Sequence, residues 1–480
     1  MKINVKRTIL VGFAFFLISA FWQAYDKAIP MLMTYKYGMS QTESGIIMAL
    51  DNVLAVFLLP LFGGLSDKTK TKFGRRTPFI FIGTICAVLS FIFIPLIENL
   101  YLFIAVLLVT LISMATFRSP AVALMPDVTC KPHRSKGNAI INLMGTAGGL
   151  LVLGLGMIVK VGQDHMDNFF TYFICVGGIM LVGLIVFLLT VKEPKWVKDM
   201  EEATLKYFPE EENAEANTEV VDEVPTETTV DGNVTSEEIV TEEITTEETT
   251  TEDAKKQNVF TKLLAKFKNK DKGEKLPKAQ LTSLLLILAS VALWFMGYNA
   301  ITSKYSLYAD SVLHQSYDLT LMIAQAGAII AYIPVGLLAS KLGRKKTILI
   351  GVGLLATAFF IAIFMTAESH PVFMYLIFAL AGIAWATINV NSFPMVVELA
   401  KSGNTGRYTG WYYTASMSAQ IITPLLSGAI MDLVGDMSPL FPYATACVLA
   451  AFVTMLFVKH GDSKPEQKKD KFEALAGADD

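Results

Sequence analysis

The chain has 480 residues, of which 53 % are apolar and only 17 % charged, and its mean hydropathy is +0.48. A soluble globular domain carries about 25 % charged residues, so this composition excludes an ordinary soluble protein and points to lipid. The net charge of −3 is no guide to partners, because most of the acid sits in one polar segment; no nucleic-acid partner is expected.

A membrane-spanning helix needs about 20 mostly apolar residues. In chain order, such runs lie near 8–33, 44–66, 77–97, 100–126, 137–160 and 168–191, and then near 281–305, 318–340, 347–367, 371–397, 408–432 and 439–458. Their lengths fit helices, since a barrel strand alternates over about ten residues. The first run is too long for the apolar core of a signal peptide. The expected fold is therefore an all-α integral membrane protein of twelve helices, with a six-helix bundle in 1–191, a polar segment in 192–280, a second bundle in 281–458 and a tail in 459–480. Basic residues crowd alternate loops: Lys2, Lys6 and Arg7, then Lys68, Lys70, Lys72, Arg75 and Arg76, and later Lys341, Arg344, Lys345 and Lys346. The positive-inside rule then places both termini in the cytoplasm. The four cysteines, Cys86, Cys130, Cys175 and Cys447, show no paired or metal-ligand spacing.

Within 192–280, residues 210–253 are rich in Glu, Asp and Thr and hold no Lys or Arg. Such a stretch cannot bury a core and is expected to be disordered. Val259, Phe260, Leu263, Leu264 and Phe267 then recur at helical spacing among lysines. They read either as a short amphipathic helix near 257–270 lying on the inner leaflet, or as a solvated linker.

The two halves repeat. Gly63-Gly64-Leu65-Ser66-Asp67 and Phe73-Gly74-Arg75-Arg76-Thr77 come after the second helix. Gly336-Leu337-Leu338-Ala339-Ser340 and Leu342-Gly343-Arg344-Lys345-Lys346-Thr347 come after the eighth. Tyr25-Asp26 corresponds to Tyr298-Asn299, and Asp127 to Glu398, each of these acids preceding an arginine, Arg134 or Arg407. This is a parallel repeat of two six-helix units related by an axis along the membrane normal.

The Gly-x-x-x-Asp segment and the Gly-Arg-Arg after it resemble the signature loop of the major facilitator superfamily. Ser66-Asp67, the six-residue spacer from Lys68 to Phe73 and Gly74-Arg75-Arg76-Thr77-Pro78-Phe79 resemble the loop of plant sucrose–proton symporters and their relatives, which border the glycoside–pentoside–hexuronide:cation symporters. Pro120, Ala123, Leu124 and Asp127 match the end of their fourth helix. The resemblance covers every helix but not 192–280. It implies alternating access, a sugar substrate and no cofactor beyond a coupling ion.

Two clusters of ionisable residues stand out. Asp67, Arg75, Arg76, Asp127 and Arg134, with Arg344, Glu398 and Arg407 in the second half, lie at the basic ends of helices. They could lock a cytoplasmic gate through charge-assisted hydrogen bonds, or serve only as topology signals. Asp26, Asp51 and Arg118 interrupt uncharged runs, where ionisable groups are expensive unless paired or wet. Asp26 adjoins Lys27 and could instead form an interfacial salt bridge with it. Sucrose symporters carry an acid where this chain has Leu107 to Leu111, and melibiose-type carriers carry one where Arg118 stands. A coupling acid therefore cannot be carried over, which leaves Asp51 first and Asp26 second as proton-coupling candidates. The second half offers Asn299, Gln325, Trp385, Asn389, Asn391, Tyr412, Tyr413 and Gln420 within its helices, with no charge expected in the helix interiors. Amides and aromatic faces suit a neutral polyhydroxylated ligand, although any one Asn could be interhelical glue. Arg118 joins these as a substrate-contact candidate.

The expected function is proton-coupled sugar uptake by a monomeric plasma-membrane carrier, with sugar and bilayer as its partners and no resident metal. An exporter of amphiphilic compounds and a non-transporting sensor are the alternatives. No catalytic constellation is present, so an enzyme is not expected.

Overall fold

The structure is a computed structural model and describes residues 4–129, 134–207, 277–397, 399 and 405–461. The helices are α1 (Val5–Tyr35), α2 (Gln41–Lys68), α3 (Thr77–Phe93), α4 (Leu100–Asp127), α5 (Arg134–Ile158), α6 (Asn168–Thr190), α7 (Glu193–Tyr207), α8 (Lys278–Ser311), α9 (Tyr317–Leu342), α10 (Arg344–Ala362), α11 (Pro371–Val397), α12 (Thr405–Val434) and α13 (Leu440–Leu456). Twelve of them occupy the twelve apolar runs. Ten are long and apolar enough to cross a bilayer, and α9 is an eleventh when its two arms, which meet at 45° next to Pro334, count as one span. Proline removes a ladder hydrogen bond and crowds the preceding turn, which explains that bend. The 17 residues of α13 span about 26 Å, the lower limit for a hydrocarbon core of ~30 Å. Large apolar side chains such as Phe57, Ile158, Leu189 and Ile330 point out of the protein, as a lipid solvent permits and water does not.

The repeat seen in the sequence is also a repeat of packing. In the first half α1 packs on α5 and α6, α3 on α4 and α6, and α2 on α4. In the second half α8 packs on α12 and α13, α10 on α11 and α13, and α9 on α11, which are the same five pairs. The bundles meet along α2–α12, α5–α9 and α1–α8, and the first two of these pairs interchange under the repeat. Glycine makes the approach possible: a Cβ on Gly45 of α2 would lie 2.1 Å from the Pro424 carbonyl oxygen of α12.

The segment after α6 differs from the expected polar linker. It opens with α7, whose Trp196 is buried under Arg7 of α1 at 5.4 Å, while Arg7 pairs with Asp199 at 2.6 Å. The helix expected near 257–270 lies outside the described residues.

Candidate functional site

Between the bundles, bounded by α1, α5, α8, α9 and α11, lies a cavity of about 490 Å³. A second chamber of about 190 Å³ adjoins it and shares Trp22, Asp26 and Thr302 with it. The smaller chamber gathers five of the sequence candidates, Asp26, Asp51, Arg118, Asn299 and Gln420. Gln325 and Trp385 line the larger one. Asn389, Asn391 and Tyr412 line neither. Asn391 is fully buried and its Nδ2 donates to the Thr387 carbonyl at 3.0 Å. The Tyr412 hydroxyl is bonded to Ser392 Oγ at 2.9 Å. The first bond lies within α11 and the second joins α11 to α12; neither residue faces the cavity.

Asp51 Oδ1 accepts from the backbone N–H and the side-chain amide of Asn52, at 2.6 and 2.7 Å. Arg118 lies over the Trp22 ring, its Cζ 5.6 Å from the centroid, and forms no ion pair with Asp51 although both line one chamber. Lys27 does not pair with its neighbour Asp26. It turns to Asp318 of α9, in the other bundle, at 2.6 Å. The Asp26 carboxylate is thereby left facing the cavity with no bond from a described residue. On the wall, Tyr298 and Trp385 stack with centroids 3.7 Å apart and planes 8° from parallel. Five buried polar atoms of lining residues have no partner: Trp22 Nε1, Asn142 Nδ2, Asn299 Nδ2, Tyr305 OH and Gln325 Oε1. Each such group costs about 1–3 kcal/mol while it stays dry and unbonded, and none of the five is open to the cavity in this conformation.

At the end carrying the basic loops, Asp127 of α4 receives Arg75 at 2.8 Å and Arg76 Nε at 2.8 Å, and Arg76 also reaches Asp67 and Ser66. Four of the predicted cluster are thus brought together, all within the first bundle. The side chains of Arg134 and Arg407, and Glu398 altogether, lie outside the described residues; Arg344 begins α10. Sequence reasoning missed the keystone. The carboxylate of Glu193, 1 % exposed, accepts from the backbone N–H groups of Arg75, Arg76 and Thr77 at 2.7, 2.9 and 2.8 Å and from Thr77 Oγ1 at 2.7 Å. It satisfies the free N–H groups at the start of α3 and meets the positive end of its dipole. Gly74 is required beside it: its φ is +111°, and a Cβ there would lie 2.2 Å from the Glu193 Cδ.

The described bonds between bundles gather at the opposite end. Besides Lys27–Asp318, Lys304 of α8 donates to the Gln41 carbonyl at 2.6 Å. Asp432 of α12 accepts from the Gln41 and Thr42 N–H groups at 2.8 and 2.7 Å, capping α2 from the other bundle. Asp310 accepts from Tyr35 OH at 2.7 Å and Gln163 N at 3.1 Å. The second half therefore carries buried charge after all, at Lys304 and Asp318. Gln23 and Asn142 were missed too, although each stands in an apolar run, the signal that singled out Asp26.

The family model of the Major Facilitator Superfamily matches residues 11–424, and again 288–478. Among solved structures, an inward-open xylose transporter, XylE from E. coli, has a TM-score of 0.61 at 15 % identity, over 98 % of this chain and 99 % of that one. A nucleoside transporter, NupG, gives 0.58 at 14 %, over 95 % and 100 %, and a peptide transporter, POT, gives 0.61 at 13 %, over 94 % of each. No curated protein matches the sequence. With a superfamily model covering most of its length, twelve described helices in two repeated bundles and a cavity between them, this chain is a membrane transporter and belongs to the Major Facilitator Superfamily.

Proposed function

We propose that the chain imports a neutral di- or oligosaccharide together with a proton, by rocking its two bundles about the central cavity. The structural neighbours are transporters of xylose, nucleosides and peptides, so the substrate class rests on the cavity itself. One observation carries it: the polar side chains of Gln23, Asp26, Asn142 and Gln325 share the cavity lining with a stacked Tyr298–Trp385 pair. A polyhydroxylated ring offers hydroxyls to the first and C–H faces to the second. The two chambers together suit a ligand larger than one sugar ring, since small-molecule sites run from about 300 to 1,000 Å³. Asp26 and Asp51 line the same space without an ion-paired cation, which leaves both able to take a proton. Protonation drives uptake only if one of them binds its proton differently in the two carrier states. The basic end is cytoplasmic in this reading, both termini with it, the carrier is a monomer, and it works in the plasma membrane.

Uptake of labelled mono-, di- and oligosaccharides into proteoliposomes, with and without an imposed proton gradient, tests this reading. Asp51→Asn is expected to abolish gradient-driven accumulation and to spare sugar-for-sugar exchange. Accumulation of no sugar by the wild-type protein under any gradient would end the proposal. Accumulation surviving in both Asp51→Asn and Asp26→Asn would end proton coupling through these acids.

A further inference from the structure

Gln23 and Lys27 lie one turn apart on α1 and so share a face. Gln23 Nε2 donates to the Tyr317 hydroxyl at 3.2 Å, and its Oε1 accepts from Gln325 Nε2 at 3.0 Å. Both partners stand on α9, in the other bundle. Lys27 Nζ donates to Asp318 Oδ2 at 2.6 Å, with the two side chains 3 % and 6 % exposed. Tyr317 and Asp318 are neighbours in the first turn of α9, so an amide link and an ion pair join the same two helices one above the other. Helix α5 closes the third side with two glycines. A Cβ on Gly156 would fall 2.2 Å from Asp318 Oδ1 and 2.6 Å from Lys27 Nζ, and one on Gly149 would touch Gln23 Oε1 at 3.7 Å. The lower link belongs to the cavity wall, because Gln23, Tyr317 and Gln325 all line it. The upper link is sealed from it and from solvent.

The energetics suit a contact that is made and released as a unit. A buried ion pair is close to break-even against full solvation of both charges, whereas removing one partner leaves a stranded charge and is strongly destabilising. Opening this end would wet both groups together; closing it would desolvate both together. The amide link has the same property at lower stakes, since water or a ligand hydroxyl can replace either bond.

We propose that Gln23, Lys27, Tyr317, Asp318 and Gln325 form one latch that closes the outer end of the cavity, with Gln23 as the positioning residue that aligns α1 on α9 so that Lys27 meets Asp318. It rests on the transporter reading and on the orientation given above, but on no particular substrate.

The test is a distance measurement on the full chain in proteoliposomes without sugar. Spin labels are placed at Lys160→Cys and Glu368→Cys, exposed positions on the outer-end loops of the two bundles, with the four native cysteines replaced. The parent protein is expected to give one short population. Lys27→Met and Asp318→Asn are expected to shift the distribution toward a second, longer one, and the exchanged pair Lys27→Asp with Asp318→Lys to restore the short one. Gln23→Leu is expected to show the long population with Lys27 and Asp318 intact, and Gln23→Glu, which keeps an acceptor for Gln325, to show less of it. Gly156→Ala crowds the ion pair from α5 and is expected to act like Lys27→Met. An unchanged distribution in Lys27→Met and Asp318→Asn overturns the latch. A distribution shifted by those two but not by Gln23→Leu overturns the role given to Gln23. Failure of the sugar panel leaves these distances unaffected, so the two readings fail separately.

Discussion

The third helix of each bundle begins with the same words and is anchored in opposite ways. Thr77 comes after Gly74-Arg75-Arg76, and Thr347 after Gly343-Arg344-Lys345-Lys346; both glycines have positive φ, +111° and +92°. In the first half the strap that returns from beyond the sixth helix brings an acid, and Glu193 accepts from three backbone N–H groups and a hydroxyl. In the second half the end of α13 and the residues just after it bring carbonyls, and Lys345 of α10 donates to Leu456 O at 3.0 Å and Val458 O at 2.6 Å. Thr347 there turns inward and donates to the Gly343 carbonyl at 2.8 Å. The place of the tie is repeated and its chemistry is inverted. A repeat of this kind specifies where two elements must meet, while the sign of the charge that joins them is free to differ.

The largest effect expected from this contrast is at Glu193. Glu193→Ala strands two buried N–H groups, a part-buried one and a buried hydroxyl, and at about 1–3 kcal/mol for each unsatisfied buried group the first bundle should lose several kcal/mol. Lys345→Met removes two charged hydrogen bonds worth about 1.5–3 kcal/mol each, but one of them is exposed and the other only partly buried, so water can take over at least the Leu456 carbonyl. Thermal unfolding of the purified variants in one detergent should rank Glu193→Ala well below Lys345→Met. Equal losses would dissolve the distinction between the two ties.

A smaller effect sharpens the contrast inside the second bundle, between residues that line the cavity and residues that only look as though they should. Trp385→Ala removes one face of the stacked pair, and aromatic pairs contribute about 0.5–1.5 kcal/mol beyond area burial, so sugar affinity should fall by up to about tenfold. Tyr412→Phe loses a hydroxyl bonded only to Ser392 and should leave affinity within about twofold, because no term in binding changes. Counterflow of whichever labelled sugar the wild-type protein transports reads both. A Tyr412→Phe defect as large as that of Trp385→Ala would move the site toward the basic end of α11.

Much of this architecture was legible in the sequence. Twelve apolar runs, the repeated Gly-Arg loops and the lone acids Asp26 and Asp51 each follow from solvation alone, and the runs and the packing repeat appear where expected. The illegible part depends on angle and on distance in sequence. Trp385 and Asn389 are one turn apart on α11 and share a face, yet only Trp385 lines the cavity; the pattern of a run does not tell how far along the helix the cavity reaches. Lys304 and Asp318 stand near the ends of their runs, where charge is normally wet, and only partners in the other bundle bury them. Helix α7 was missed because its pattern is amphipathic rather than apolar. Its role is carried by Glu193 and Trp196, whose partners lie far away in the sequence, at Thr77 and Arg7.

The contrast between the ties also says where the connection between the bundles stops mattering, and this is the smallest effect expected. The first bundle is tied to α7 through Glu193, Trp196 and Asp199. Beyond Tyr207 the chain enters the acid- and Thr-rich stretch of 210–253, which lacks Lys and Arg and is expected from its composition to bury no core. The two bundles meet through their own helices along α1–α8, α2–α12 and α5–α9, so they do not need the connection to find each other. Shortening it raises the effective concentration of one bundle near the other only weakly, because closure entropy varies with the logarithm of loop length. Deleting 208–255 should therefore leave reconstituted transport and melting temperature essentially unchanged. Extending the deletion back to 194 removes Trp196 and Asp199 and uncouples Glu193 from the helix that places it, and that protein should unfold at a clearly lower temperature. If the shorter deletion abolishes transport in a normally inserted protein, the stretch beyond α7 takes part in the cycle. If the longer one melts like the wild type, α7 is not the tie that the first bundle depends on.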